Sequence, residues 1–446
     1  MKQNLFYILS LVLLLTGCDK TLHDIPEEYP SDIPTITIGI NTDAIQGTPL
    51  RDVHLYFFDS SEMLAKHIYY PTMQSLALDR MLMESGYYTI FAILNTEESL
   101  VPTVARSVDV PKISFASFCQ WVKSLDNGNY PDLATGLVRY EVKEGVSLIT
   151  IDVKKGSEAV ELSTLTLNLT FPSPMLDYVK QKKLRSTGDV EMLRAVIELY
   201  KKGTNERVLR KEEFVTKIGN ENVYTATLLV TPGTYDIRLW ADYTTEATTD
   251  NHYITTNTQD VKILPKEKYL ANTDAKDAFV TTQTLTIDKN EQIENITMNR
   301  PVAKYRLVAT DLEKYEILRK QRNYPPIEEL NISVVYESYL PVGYDMWTGT
   351  LTDSQMGYGY NSAISENTDT MVTLAKDFVL VNGEESGVQV KLLLKDSTGK
   401  VISGVSGIII NYRSGYLTTI KGGFLTAGKG GVDIVTEWEG EYNVEF

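Results

Sequence analysis

Only two cysteines, Cys18 and Cys119, and four histidines occur in 446 residues. Two thiols cannot make a disulfide framework. The histidines His23, His54, His67 and His252 are scattered without metal-ligand spacing, so neither a metal nor a cofactor is expected. An excess of basic residues is missing as well: 43 Lys and Arg stand against 59 Asp and Glu. Phosphate backbones select clustered Lys and Arg, and nucleic acid is therefore set aside as a partner. The chain also lacks a membrane-spanning run. Its apolar stretch from Leu5 to Leu15 has eleven residues, where a helix needs about 20 to cross a bilayer.

What that short run does fit is an address. Lys2 supplies the positive start, the apolar stretch the middle, and Thr16-Gly17 the small residues before Cys18, which is the layout of a secretory signal over residues 1–17. Leu15-Thr16-Gly17-Cys18 also resembles the bacterial lipobox, which implies cleavage before Cys18 and lipid on its thiol and new amine. A plain secretory signal that happens to carry a cysteine is the other reading. Two or more acyl chains give a stable anchor where one does not. Residues 18–33 are acidic and proline-punctuated, as a flexible stalk would be. With Cys18 modified, Cys119 has no intrachain partner, and packing alone must hold the folds. Cys119 falls within Phe115, Phe118, Val122 and Leu125, whose spacing predicts a short amphipathic helix with the thiol buried beside its apolar stripe.

Beyond the stalk, strand patterns dominate. TITIGI (35–40), DVHLYFFD (52–59), YYTIFAILN (87–95), TLTLNLTF (164–171), AVIELY (195–200), YTATLLV (224–230), YDIRLWADY (235–243), NISVVYES (331–338) and VQVKLLLKD (388–396) mostly alternate apolar and polar residues between turn formers. Regular short strands with few helical patterns predict an all-β protein of antiparallel β-sandwiches with a few short helices. In this pattern His54 shares a strand face with Tyr56 and Phe58, and that face is expected at a domain surface.

The chain also repeats itself. Leu50-Arg51-Asp52-Val53-His54-Leu55-Tyr56 followed by ESGYYTIFAILNTEES parallels Leu193-Arg194-Ala195-Val196-Ile197-Glu198-Leu199-Tyr200 followed by TPGTYDIRLWADYTTEA. A second parallel links LNLTFPSPMLDYVKQKKLR with YRLVATDLEKYEILRKQR, each a strand, a short helix and a basic end. Repeats of roughly 120 to 145 residues fit domains better than solenoid units. Three sandwiches are therefore expected, over 34–154, 155–299 and 300–446.

The order lipobox, acidic linker, TITIGINTDA, Arg51, DVHLYFFDSSEML, YYTIFAILNTEE, followed later by RPVAKYRLVATD and the ending YLTTIKGGFLTAGKGGVDIVTEWEGEYNVEF, resembles the fimbrillin superfamily of Bacteroidales, lipid-linked anchor proteins included. This resemblance implies transthyretin-like sandwich domains, a place at the outer membrane and cell surface, other fimbrillin subunits as partners, and a structural, anchoring or accessory role in fimbriae and adhesion. It further implies assembly by β-strand addition, in which main-chain hydrogen bonds complete a sheet edge and alternate side chains fill pockets. Mapped residue by residue, the first strand is Thr35 to Ile40, the position resembling a protease-processing site is Arg51, and a donor strand would carry Tyr442, Val444 and Phe446. Arg51 also reads as a polar residue at a strand entrance, because Arg194 takes the same place in the repeat. The terminal strand equally reads as pairing within its own sandwich.

Catalytic patterns fall short. Gly423 to Lys429 has the spacing of a phosphate-binding loop but lacks the Ser or Thr that follows the lysine. Ser406 in SGVSGI misses the second glycine of a nucleophile elbow. Glu437 and Glu439 share one strand face and cannot flank a glycosidic bond. No enzymatic role is expected. The abundant tyrosines leave a rival reading open, a glycan-binding surface lipoprotein of a polysaccharide-capture system, with Tyr358, Tyr360, Trp347 and Trp240 as candidate contact residues.

Overall fold

The computed structural model describes residues 34–426, apart from 98–112, 127, 161, 173–190, 216–221, 247–248, 289–290, 365, 368–370 and 384. The protein is all-β. Each of the nine strand segments read from the alternation between residues 35 and 396 is present, and no helix among the described residues is long and apolar enough to cross a membrane.

In the first block the strands are β1 (Thr35–Asn41), β2 (Val53–Phe58), β3 (Leu64–Tyr70), β4 (Met81–Leu82), β5 (Gly86–Leu94), β6 (Ala134–Val142) and β7 (Val146–Lys155), in sheet order β3-β2-β5-β6-β7-β1-β4. Helix α1 (Met73–Leu78) follows β3, and α2 (Phe115–Leu125) lies between β5 and β6. β6 touches β7 only from Ala134 to Gly136, so the sheet turns a corner there and faces itself. Ile36, Ile38, Ile149 and Ile151 then pack against Val53, Leu55 and Phe57. Across the same strand, Tyr56 and Phe58 pack under α2 against Phe115 and Phe118. β2 is therefore buried on both faces, and His54, expected at a surface, is 0% exposed. Cys119 is buried in α2, as the spacing predicts.

The second block holds β8 (Ser163–Thr170), β9 (Met192–Lys201), β10 (Arg207–Phe214), β11 (Val223–Val230), β12 (Gly233–Thr244), a hairpin of β13 (Tyr253–Ile254) and β14 (Val261–Ile263), β15 (Ala278–Ile287) and β16 (Gln292–Thr297). Sheets β10-β9-β12-β15 and β11-β8-β16 enclose one core. The burial of β8 alternates along its whole length, which is the period-two pattern of TLTLNLT made visible.

The third block holds β17 (Val302–Ala309), α3 (Leu312–Arg322), β18 (Asn331–Tyr336), β19 (Leu340–Asp345), β20 (Thr350–Gln355), β21 (Gly359–Ser362), β22 (Glu366–Asn367), β23 (Val372–Leu380), β24 (Glu385–Lys395), β25 (Val401–Arg413) and β26 (Leu417–Gly422). Its sheets are β22-β23-β17-β26 and β21-β18-β24-β25. One further sheet crosses the boundary, because β14 pairs with β19 at Val261↔Tyr344 and Lys262↔Gly343. Val196 and Trp240 of the second block accordingly share a hydrophobic core with the third.

A common closure unites the blocks. The first strand of each runs parallel to the last described one: β1 with β7, β8 with β16, and β17 with β26. Other strand pairings are antiparallel.

Candidate functional site

The first described strand is held firmly. β1 pairs with β7 over all seven residues, from Thr35↔Val146 to Asn41↔Asp152, and Ile36 and Ile38 are buried to 0% and 1% exposure. Arg51 follows in the coil that precedes β2. Its side chain is 56% exposed and reaches Asp132 at 3.4 Å, while its backbone N–H donates to Asn95 Oδ1 at 3.0 Å. Cys18 and the candidate donor residues Tyr442, Val444 and Phe446 lie outside the described residues, as do Glu437, Glu439 and Lys429.

The repeat explains why Arg51 stands out. In the second block the long Tyr-led strand carries Asp242 near its end, at the repeat position that Asn95 takes just after β5. Arg194 binds both Asp242 oxygens at 2.9 Å and Asp250 at 2.9 Å, and is 1% exposed. Burial opposes its charge, yet the carboxylates of Asp242 and Asp250 raise its pKa. An amide offers no such pull, so the Arg51 guanidinium turns outward while its main chain alone bonds Asn95.

The proposed contact residues are mostly interior. Trp240 is 1%, Tyr358 3% and Tyr360 8% exposed, which corrects the expectation of a surface for all three. The glycine-flanked pair at 358 and 360 folds inward because β21 pairs with β18 and the Tyr360 hydroxyl meets that of Tyr305 at 3.0 Å. Trp347, in the turn between β19 and β20, keeps 41% exposure.

That tyrosine belongs to a buried network that sequence reasoning missed. Asp377, fully buried, accepts from Tyr336 at 2.6 Å, Tyr269 at 2.5 Å, Lys276 at 2.6 Å and the backbone N–H of Phe378 at 2.7 Å. Burial, together with the Asp377 charge, pushes the Tyr269 and Tyr336 phenols well above their usual range. Tyr269 and Lys276 come from the second block and the rest from the third, so the network rivets one to the other. Glu198 anchors a comparable cluster on the outer face of β9: Arg207 at 2.6 Å, Arg210 at 2.5 Å, Tyr200 at 2.7 Å and Thr258 at 2.7 Å. Burial resists its ionisation, but the two guanidinium groups hold the carboxyl below its usual range. Arg207 also bonds Glu141 of the first block at 2.7 Å, and Lys211 reaches Glu62 at 3.4 Å. Nothing in local sequence marks these partners.

The near-miss motifs have ordinary uses. The N–H groups of Leu425 and Thr426, inside the look-alike phosphate loop, are capped by the Asp311 carboxylate at 3.2 and 2.8 Å. Ser406 donates to Glu337 at 2.5 Å. His54 and His67, unrelated in sequence, stack with ring centroids 5.2 Å apart. Their register gives them away, since His54 lies opposite Tyr69 and Tyr56 opposite His67.

Fold and geometry thus define an all-β protein of β-sandwiches, each closed by a parallel pairing of its first strand with its last described one. The chain belongs to the family of unknown function DUF6562, whose profile matches residues 157–446. No curated protein matches it. Among solved structures, it is similar to a candidate polysaccharide-binding protein of Bacteroides thetaiotaomicron, at 11% identity and TM-score 0.35, over 55% of this chain and 80% of that one. It is similar also to the fimbrial anchor protein Mfa2 of Porphyromonas gingivalis, at 12% identity and TM-score 0.30, over 55% and 82%. A fimbrial assembly protein of Parabacteroides distasonis shares 12% identity at TM-score 0.27, over 58% and 90%. Likenesses this distant carry no argument about function.

Proposed function

We propose that this chain is a lipid-anchored structural subunit of the outer membrane surface, tethered through Cys18, which associates with other fimbrillin-like subunits by strand addition and supports adhesion without catalysis. The order of lipobox, acidic stalk, first strand and Arg51 supports this reading. So does the way in which β1 is seated, and that observation carries it. A strand that buries Ile36 and Ile38, each contributing about 1.5–3 kcal/mol, makes stalk and sandwich one mechanical unit as long as the Arg51 bond is intact. Such a subunit keeps its lipid and suits the base of an assembly better than its stalk.

The test is metabolic labelling with palmitate, together with the mass of the mature N-terminus. Label on the wild-type chain, its loss in Cys18→Ala, and a mature protein that begins at Cys18 are expected. An unlabelled chain would overturn the anchor, and one that begins at Asp52 would make it a processed stalk subunit.

A further inference from the structure

Where the outer face of the second block meets the turn between β19 and β20, one buried arginine has an N–H without an acceptor. Arg238 projects from β12 and is 4% exposed. Its guanidinium lies 3.9 Å from the Tyr200 ring centroid and 5.7 Å from that of Trp347. Nη1 donates to Thr258 Oγ1 at 3.2 Å, whereas the buried Nε has no acceptor. Arg194, Arg210 and Arg300, equally buried, each bind a carboxylate. Arg238 forms no ion pair among the described residues. Asp236, two residues earlier, feels its charge, but the Asp236 oxygens are taken by the Gly203 N–H at 2.9 Å and the Thr284 hydroxyl at 2.7 Å.

The aromatic faces beside the guanidinium accept nothing in its plane, so the buried Nε–H is left without the hydrogen bond it requires. That N–H is available to an acceptor, and its surroundings say of what kind. Three turns converge over Arg238: Met346 N–H donates to Thr258 O at 3.0 Å, and Gln259 Nε2 to Asn205 Oδ1 at 2.8 Å. Trp347 and Gln259, both exposed, directly follow the bonded residues Met346 and Thr258 in the chain, and Gln259 in turn holds exposed Asn205. An indole face stacks on a sugar ring, amides bond its hydroxyls, and a guanidinium edge recognises a planar carboxylate.

We propose that this seam binds a carboxylate-bearing saccharide, with Trp347 against the ring and Arg238 Nε taking the acid group once the indole swings aside. The looser contact on the Trp347 side makes that the side from which the ligand enters. Neither a lipid anchor nor strand exchange is needed for this binding.

Calorimetric titration of the full-length protein in detergent, against uronate- and sialate-containing oligosaccharides and neutral oligosaccharides of equal length, tests it. At least one acidic sugar should bind tenfold or more tightly than its neutral counterpart, which leaves Nε unpaired. Trp347→Ala, at an exposed position that folding does not need, should weaken binding at least tenfold. Arg238→Lys, which keeps the charge and loses the planar fork, should erase the preference for acid. No binding across the acidic set, equal binding of neutral sugars, or unaltered affinity in Trp347→Ala would each overturn the proposal. Should Arg238→Lys fail to fold, the other two arms still decide it.

Discussion

His67 Nε2 lies 3.0 Å from His54 Nδ1, and the second His54 nitrogen fixes the direction of that bond. His54 Nε2 faces the Glu97 carbonyl oxygen at 2.9 Å and must donate, so Nδ1 is bare and His67 Nε2–H donates to it. A second proton on His54 would set N–H against N–H. Burial lowers the pKa of both rings, that of His67 to about 4, with the neighbouring His54 adding to the effect; Asp52 and the Glu97 carbonyl pull His54 the other way. Tyr56 and Tyr69 flank the pair, their ring centroids 4.3 Å from His67 and 4.7 Å from His54 respectively.

The unfolded chain takes up a proton on each ring below about pH 6.5, whereas folded His67 does so only near 4 and folded His54 only below its usual range. The contribution of the pair is therefore complete above 6.5 and lost as pH falls through that window. Urea unfolding at pH 7.0 and pH 4.5 should show a drop of about 1 kcal/mol assignable to the pair, after allowance for the solvent at His67. His67→Gln, which keeps a donor and cannot titrate, should shrink the drop. An equal pH dependence in wild type and variant would refute the assigned proton arrangement.

Asp377 holds two blocks together, and its removal leaves Lys276 buried without its counter-charge. Breaking such a pair costs about 3–5 kcal/mol, while replacing both partners with apolar groups costs far less. Denaturant midpoints should fall sharply for Asp377→Ala and recover in large part in Lys276→Met/Asp377→Leu. Equal losses in the single and double variants would show that the hydroxyls of Tyr269 and Tyr336, not the ion pair, are the groups that matter.

The Cys119 thiol is buried, and burial pushes its pKa up to about 12. Thiolate is the nucleophile, so a native thiol of this kind reacts slowly. A thiol reagent at pH 8 should modify Cys119 only at the rate of unfolding, with full labelling in denaturant. Rapid modification of the native chain would mean that α2 opens without global unfolding.

Much of the fold was legible because local alternation reports one buried face. TITIGI and TLTLNLTF gave up their strands and inward residues directly. β2 did not, because VHLYFF alternates between two apolar environments and only the arrival of α2 over Tyr56 and Phe58 shows that neither is solvent. Tyr358 and Tyr360 misled for a related reason. Glycines beside aromatics look like an exposed loop until β18 offers a partner more than twenty residues away. Residue type marks what a side chain can do, while the counter-charge of Glu198 or Asp377 comes from elements that only the topology brings near. Arg238 is the hardest case, since its distinguishing feature is a partner it lacks.

The corner of the first sandwich rests on Gly136. There β6, still paired with β5, meets β7, and a Cβ would fall 2.7 Å from Ile151 Cγ2, 2.8 Å from the Asp152 carbonyl oxygen and 2.8 Å from Val153 Cγ1. Asp152 cannot retreat freely, because it stands opposite Asn41 at the end of the parallel β1–β7 pairing. Gly136→Ala should therefore push β7 outward and loosen β1, at a cost of about 1–3 kcal/mol. At Gly39, in β1 itself, the nearest atom to an added Cβ is 3.8 Å away, so Gly39→Ala is the matched control. Hydrogen exchange should accelerate over residues 35–41 and 146–152 in Gly136→Ala and stay near wild type in the control. Acceleration spread evenly over the first block would mean that the corner supports the whole sandwich; acceleration confined to these two strands identifies the joint that keeps β1 seated.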